Sequence, residues 1–257
     1  MAESPEAYAA IHPDLQAALI DAWHLLPRIQ TVGADTSFKD LYTLIDYVSD
    51  AVRLAFPDIP CKSGCSNCCV DYGLPRTTAR EWAAIHTYMQ TEMPAEIRQT
   101  VLAANQRLYG DQVPDLLLER QRIQVPHTDP RAGDNPLPAF ACLQCPCLVE
   151  GRCSIYPVRP AICRAFGSFS VRMGERLQAF TCRMAADVMQ EVLSSKNIAH
   201  WALPVWGRFE ERLYELNDGY GDVASLPLWL LAHMEGGELV VTLETAPDFE
   251  RLVTTGA

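Results

Sequence analysis

No stretch of this chain is apolar for long. The longest such run, Leu226-Pro-Leu-Trp-Leu-Leu-Ala232, falls far short of the ~20 residues that span a bilayer. Basic charge is also scarce: 21 Lys and Arg stand against 32 Asp and Glu, a net charge of −11. That balance argues against general affinity for nucleic acid, which needs clustered cations for phosphate. It argues equally against an anionic membrane surface. There is no Gly-rich phosphate loop, no Gly-x-Ser-x-Gly elbow, no internal repeat and no low-complexity tract. The first residues, Met-Ala-Glu-Ser-Pro-Glu, are acidic and lack the apolar core of a secretory signal. The expectation is a cytoplasmic protein with an unknown protein or small-molecule partner, and with neither nucleic acid nor membrane as partner.

What the chain has in excess is cysteine, ten in 257 residues. Nearly half the residues are hydrophobic, 49%, enough to bury a core without crosslinks. The thiols are therefore not needed as staples. In a reducing compartment their density points to metal or catalysis rather than to disulfides.

The chain is organised around Cys61-Lys-Ser-Gly-Cys65-Ser-Asn-Cys68-Cys69. A second set follows after a long gap: Cys142, Cys145, Cys147, Cys153, Cys163 and Cys182. Thiolates are soft ligands that suit zinc, copper(I) and iron–sulfur clusters. Cys65-x-x-Cys68 is the short spacing of two thiolates on one centre. Cys61, Cys65 and Cys68 together would place three thiolates on one loop, suited to three corners of a 4Fe–4S cube. The Ser, Gly and Asn between them predict a tight loop.

The periodicity predicts a mainly α chain. Helices are expected over 6–25, 37–56, 95–109, 114–124, 183–194 and 205–217, with Phe38, Leu41, Leu44, Ile45, Val48, Val52 and Phe56 on one face of the second. Another begins at Thr78, where Thr78 and Glu81 form a capping-box pattern, and Trp82, Ile85, His86 and Met89 share its face. Residues 125–138 are rich in Pro and Gly and read as a loop. Residues 139–182 read as irregular and held by their ligands. Glu238-Leu-Val-Val-Thr-Leu-Glu244 predicts one short strand near the C-terminus. The expected organisation is an N-terminal helical segment (1–60), a cysteine-cluster region (61–182) and a C-terminal helical segment (183–257), packed as one domain.

The motif Cys61-x3-Cys65-x2-Cys68-Cys69 resembles that of the YkgJ-type cysteine-cluster family, a zinc- or iron-chelating domain. Cys145-Pro-Cys-Leu148, then Cys153-Ser-Ile-Tyr156, then Arg159-Pro-Ala-Ile-Cys163-Arg164 and Phe166 are similar to the family's second half, and Cys182 matches its last ligand position. The resemblance implies a metal site of Cys61, Cys65, Cys68, Cys69, Cys145, Cys153, Cys163 and Cys182. Cys147 stands where the family has Phe, and Cys142 lies outside the pattern; either is a spare ligand, a redox partner or a small buried apolar side chain, the last being the favoured reading. His127 reads as a solvated loop histidine before a ligand. Arg159 and Arg164 have two readings: they offset the charge of a thiolate centre or bind an anionic substrate, or they anchor loops through backbone carbonyls. Asp71 serves either a ligand or a turn.

Zinc sites usually show paired Cys-x-x-Cys knuckles, so the three-residue gap and the Cys68-Cys69 pair favour an iron–sulfur cluster over Zn2+. Radical SAM chemistry shares the Cys-x3-Cys-x2-Cys spacing, but Asn67 stands where those enzymes place an aromatic, and the helical pattern does not supply their alternating strands. Three functions stay open: a metal-binding or electron-handling protein, a metal-dependent enzyme (group transfer such as protein methylation, which the resemblance includes, or redox) with a cleft lined by Arg164 and Trp201 or Trp206, and a metal chaperone or sensor.

Overall fold

A computed structural model describes residues 13–33, 37–61, 64–71, 73–123, 140, 143–173, 176–196 and 203–255. Its helices are α1 (Pro13–Leu25), α2 (Leu41–Ala55), α3 (Asn67–Asp71), α4 (Ala79–Thr91), α5 (Ala95–Tyr109), α6 (Val113–Ile123), α7 (Ala161–Ala165), α8 (Arg183–Lys196), α9 (Gly207–Asn217), α10 (Leu226–Ala232) and α11 (Arg251–Thr255). Its strands are β1 (Arg76–Thr78), β2 (Leu148–Val149), β3 (Arg152–Cys153), β4 (Ser170–Met173), β5 (Arg176–Ala179), β6 (Val223–Ser225), β7 (Met234–Glu235) and β8 (Glu238–Leu239). The protein is mainly α, as its periodicity predicts. The expectation of a strand only near the C-terminus is corrected: antiparallel pairs also form at β1–β6, β2–β3 and β4–β5. The predicted strand over 238–244 shortens to Glu238–Leu239.

The chain forms two compact units, each built from separated segments. Residues 1–65 and 163–216 make the first; 66–162 and 217–257 make the second.

In the first unit, α1 and α2 bury Leu15, Ala18 and Leu19 and the Leu41, Leu44, Ile45, Val48 and Val52 stripe. Asp40 caps α2 by accepting the Tyr42 amide at 2.8 Å. Phe38 precedes the helix and stays exposed. Phe169, Trp206 and Phe209 form an aromatic cluster, with the last two rings stacked 6.0 Å apart. Trp206 is buried there, so the sequence-based expectation that it lines an open cleft is corrected.

In the second unit, β1 pairs with β6, and each strand runs directly into a helix, α4 and α10. The capping box forms as predicted: the Thr78 hydroxyl accepts from the Glu81 amide while the Glu81 carboxylate accepts from the Thr78 amide. Trp82, Ile85, His86 and Met89 are all buried. Trp82 stacks on Trp229 of α10 at 5.9 Å, and the Trp229 indole donates to the Thr77 carbonyl at 3.0 Å. Pro94 separates α4 from α5 and serves as the N-cap of α5.

Candidate metal centre

Packing divides the first cysteine set between the two units. Cys61 and Cys65 belong to the first unit, Cys68 and Cys69 to the second; of the second set, Cys163 and Cys182 belong to the first unit, Cys145, Cys147 and Cys153 to the second. The predicted tight loop turns helical at its end. The Ser66 carbonyl accepts from the Cys69 and Val70 amides, and Cys68 and Cys69 ride on the resulting short helix α3.

In the second unit, five thiols gather from three pieces of chain. The Cys145 amide donates to the Cys69 carbonyl at 2.7 Å. The buried Tyr109 of α5 donates its phenol hydrogen to the Gln144 carbonyl at 2.9 Å and lies 3.4 Å from the Gly73 carbonyl. The two backbones touch: a Cβ on Gly73 would lie 2.2 Å from the Leu143 carbonyl oxygen and 2.5 Å from the Tyr109 hydroxyl. Only glycine fits that approach.

The third piece is the hairpin β2–β3. Its two-residue loop, Glu150 and Gly151, has φ of 49° and 73°, the left-handed pair of a type I′ turn. Leu148 pairs with Cys153. Beyond that pair, the Ser154 amide and hydroxyl both donate to the Cys147 carbonyl, at 2.9 and 3.0 Å. The turn thereby brings Cys147 and Cys153 to the same end of the hairpin. Cys145 and Cys147 are buried within the hydrophobic core, and Cys69 and Cys153 pack against it.

The thiols pair with one another. Cys69 donates to the Cys68 sulfur; that bond, with help from the Arg159 charge and against burial, lowers Cys68 to about 7. Cys69 is raised as the donor and by burial. Cys145 is lowered by the hydrogen bond it receives from Cys147, which is raised in turn. Burial, then the charge of Cys145, pushes Cys153 up to about 11, with Arg159 opposing. The Arg159 guanidinium lies over the Tyr156 ring at 3.9 Å, held there by a cation–π contact. It is the cation that acts on Cys68 and Cys153.

In the first unit, Cys61 lodges against the chain between Cys163 and Cys182. Gly167, at φ 78°, leaves the room: a Cβ there would lie 2.2 Å from the Cys61 sulfur. The Gly167 amide donates to the Phe180 carbonyl at 2.7 Å. Thr181 Oγ1 is 4.0 Å from the Cys61 sulfur, and the neighbouring Cys182 is buried and accepts the Ala186 amide at the start of α8. Cys163 lies on α7. Glu81 fixes the start of that helix by accepting the Ala161 amide at 2.7 Å. Arg164 is engaged by α2: it pairs with Asp46, lies over the Tyr42 ring at 4.1 Å, and its carbonyl accepts from Ser49.

Among the described residues, no three His, Cys, Asp or Glu side chains are arranged as ready-made metal ligands. A thiol must shed its proton to ligate. The donors themselves fit a soft metal: thiolates held in an apolar core with a cation beside them. His127, Cys142, Trp201 and the loop 125–138 lie outside the described residues, as does the side chain of Asp71.

Residues 60–183 match a family model, CxxCxxCC, described as a putative zinc- or iron-chelating domain. Over this stretch the chain is similar to that family. The match supports metal binding and takes in every cysteine discussed above. Neither a curated protein nor a solved structure is significantly similar to the chain. No described helix is long and apolar enough to cross a membrane.

The hairpin went unread in the sequence although its signal was present. Glu150-Gly151 between Leu148-Val149 and Arg152-Cys153 has the length and the glycine of a two-residue turn. Tyr109 and Gly73 carry no motif and emerge only from the packing.

Proposed function

We propose that this protein holds an iron–sulfur cluster through its cysteines, with zinc as the competing occupant. The observation that carries this reading is that Cys69 and Cys153, drawn from distant parts of the chain, pack against the apolar core that buries Cys145, with the Cys145 amide bonded to the Cys69 carbonyl. Adjacent cysteines suit a centre of more than one metal better than a single tetrahedral ion, whose ligands usually come as spaced pairs. When bound, a cluster would supply one-electron chemistry, and zinc would supply folding energy. Arg159 offsets part of the thiolate charge in either case.

The experiment is the iron, zinc and acid-labile sulfide content per chain of protein purified without oxygen, with an absorption spectrum of the same sample. Iron and sulfide in matching amounts, with broad absorption near ~400 nm, support the cluster. Zinc alone in a colourless sample overturns it.

A second reading, an enzyme acting beside the metal, has one observation in its favour. A cleft of about 560 Å³ lies between α5 and the thiol-bearing hairpin, lined among others by Thr100, Arg107, Gln144 and Leu148. Gln144 and Leu148 directly adjoin Cys145 and Cys147 in the chain, so a molecule in this cleft would sit against the backbone that carries the thiols.

A further inference from the structure

We infer that the second unit carries a binding site for a small amphipathic acid, an apolar body ending in one carboxylate. The site is the cleft of about 840 Å³ walled by α5, α10, the β7–β8 hairpin and α11. No thiol lines it, and it stands whether or not the cysteines hold metal. Its volume falls in the range of small-molecule sites, roughly 300–1,000 Å³. The floor is apolar: Leu102, Leu231 and Leu252, from three different helices, line it and are buried. The hairpin contributes its turn, Gly236-Gly237, which brings no side chain into the space. Such a floor favours a ligand that can cover it with carbon.

Charge selects the other end of the ligand. Three charged side chains line the cleft, Arg107, Arg251 and Glu235, and all are exposed at its rim. Two cations against one anion leave one positive charge, in a chain whose net charge is −11. The two arginines are not alike. Arg251 donates to the Ala232 carbonyl at 3.2 Å and stands 4.0 Å from the Glu244 carboxylate. On α5 itself, Arg98 donates to the Met89 carbonyl at 2.8 Å. Arg107 has no hydrogen bond, ion pair or ring contact among the described residues. An uncommitted guanidinium above an apolar floor is a planar fork matched to one carboxylate. A more highly charged anion would meet the opposing charge of Glu235.

Arg107 also fixes which way the acid lies. With Ala103 it lines the smaller cleft beside the thiol-bearing hairpin as well, so it stands where the two clefts meet. The smaller cleft carries Glu96 and Glu150, which repel a carboxylate. The acid group therefore stops at Arg107, and its apolar body lies back over Leu102 and Leu252.

The test is isothermal titration calorimetry of the full chain at neutral pH and low salt, with straight-chain carboxylates from hexanoate to myristate and with the alcohols of equal length. The parent is compared with Arg107→Met, which keeps an apolar stem and loses the charge, and with Ala103→Trp, which fills the cleft. Both positions are exposed, so neither change removes core packing. The expected result is saturable binding of the acids that strengthens with chain length, with each matching alcohol about tenfold or more weaker. Arg107→Met should bind the acid as weakly as the parent binds the alcohol, with its affinity for the alcohol unchanged. Ala103→Trp should bind neither. No saturable binding of any acid overturns the site. Equal affinity for acid and alcohol overturns the carboxylate anchor, as does unaltered acid binding in Arg107→Met, the result that a carboxylate bound to metal would give. Full binding in Ala103→Trp puts the ligand elsewhere and overturns the cleft.

Discussion

The backbone amide of Cys145 donates to the carbonyl of Cys69 across 2.7 Å. One hydrogen bond thus ties the first cysteine set to the second through main chain, independently of either sulfur. Substituting a thiol in the second unit should leave this link standing, so loss of metal there can be separated from loss of fold.

Replacing Cys65 with Ser should strip metal and lower the melting temperature strongly. A structural thiolate site contributes on the order of 10 kcal/mol of binding free energy, which is felt as folding free energy. Elemental analysis and thermal melting of the same preparation check this. Full metal content with unchanged melting would remove Cys65 from the ligand set.

Tyr109→Phe keeps the ring in the core and removes the donor to the Gln144 carbonyl. The expected cost is about 1–3 kcal/mol, the penalty for an acceptor left without its partner. Chemical denaturation measures it. Because the same hydroxyl lies beside Gly73, the Phe variant should also loosen the approach of the two cysteine-bearing segments, seen as faster metal loss to a chelator.

Gly167→Ala combines two faults. Its φ of 78° strains any L side chain, and the new methyl would strike the Cys61 sulfur. A destabilisation of about 1–3 kcal/mol is expected from the collision alone, together with reduced metal content. Normal metal content in a folded Gly167→Ala protein would show that Cys61 can move without consequence, and so is not a ligand.

Acid should destabilise the second unit through His86 and His233. Each imidazole is lowered from the ordinary 6.5, first by burial. His233 is also saturated: its Nδ1–H donates to the Trp229 carbonyl, and its Nε2 accepts from Trp82 and from the Glu244 amide. The unfolded chain therefore takes up protons before the folded one does. This contribution is complete above about pH 6.5 and is lost as pH falls through the lowered folded values. Melting the parent and His86→Gln from about pH 8 to about pH 5 checks the sign: the gap between them should narrow toward acid. A gap that widens would mean that His86 is charged in the folded protein.

Much of the helical scaffold was legible because it rests on local rules. Thr78 and Glu81 announce the start of α4, and the apolar spacing from Leu41 to Val52 announces α2. The span of α5, Ala95–Tyr109, is bounded by Pro94 and by Gly110, which caps its end. Less legible was whatever depends on partners distant in sequence. β1 is a strand because residues 223–225 lie beside it, and nothing near Arg76 says so. The helix α10 hid in its own hydrophobicity: Leu226–Ala232 is buried all round, so it has no polar face and no period to read. The family cysteines were recognisable from their spacing. Their division between the two units was not, because Cys65 and Cys68 stand only three residues apart.

That division has a consequence for synthesis. The first unit needs residues up to 216 before it is complete, and the second reaches back from 257 to 66. With elongation at roughly 5–20 residues per second, Cys61 and Cys65 leave the ribosome seconds before Cys163 and Cys182. In that interval they are nucleophiles without their native neighbours, open to oxidation and to adventitious metal. The order in which this chain is made thus leaves its first thiols exposed before the segments that pack with them exist.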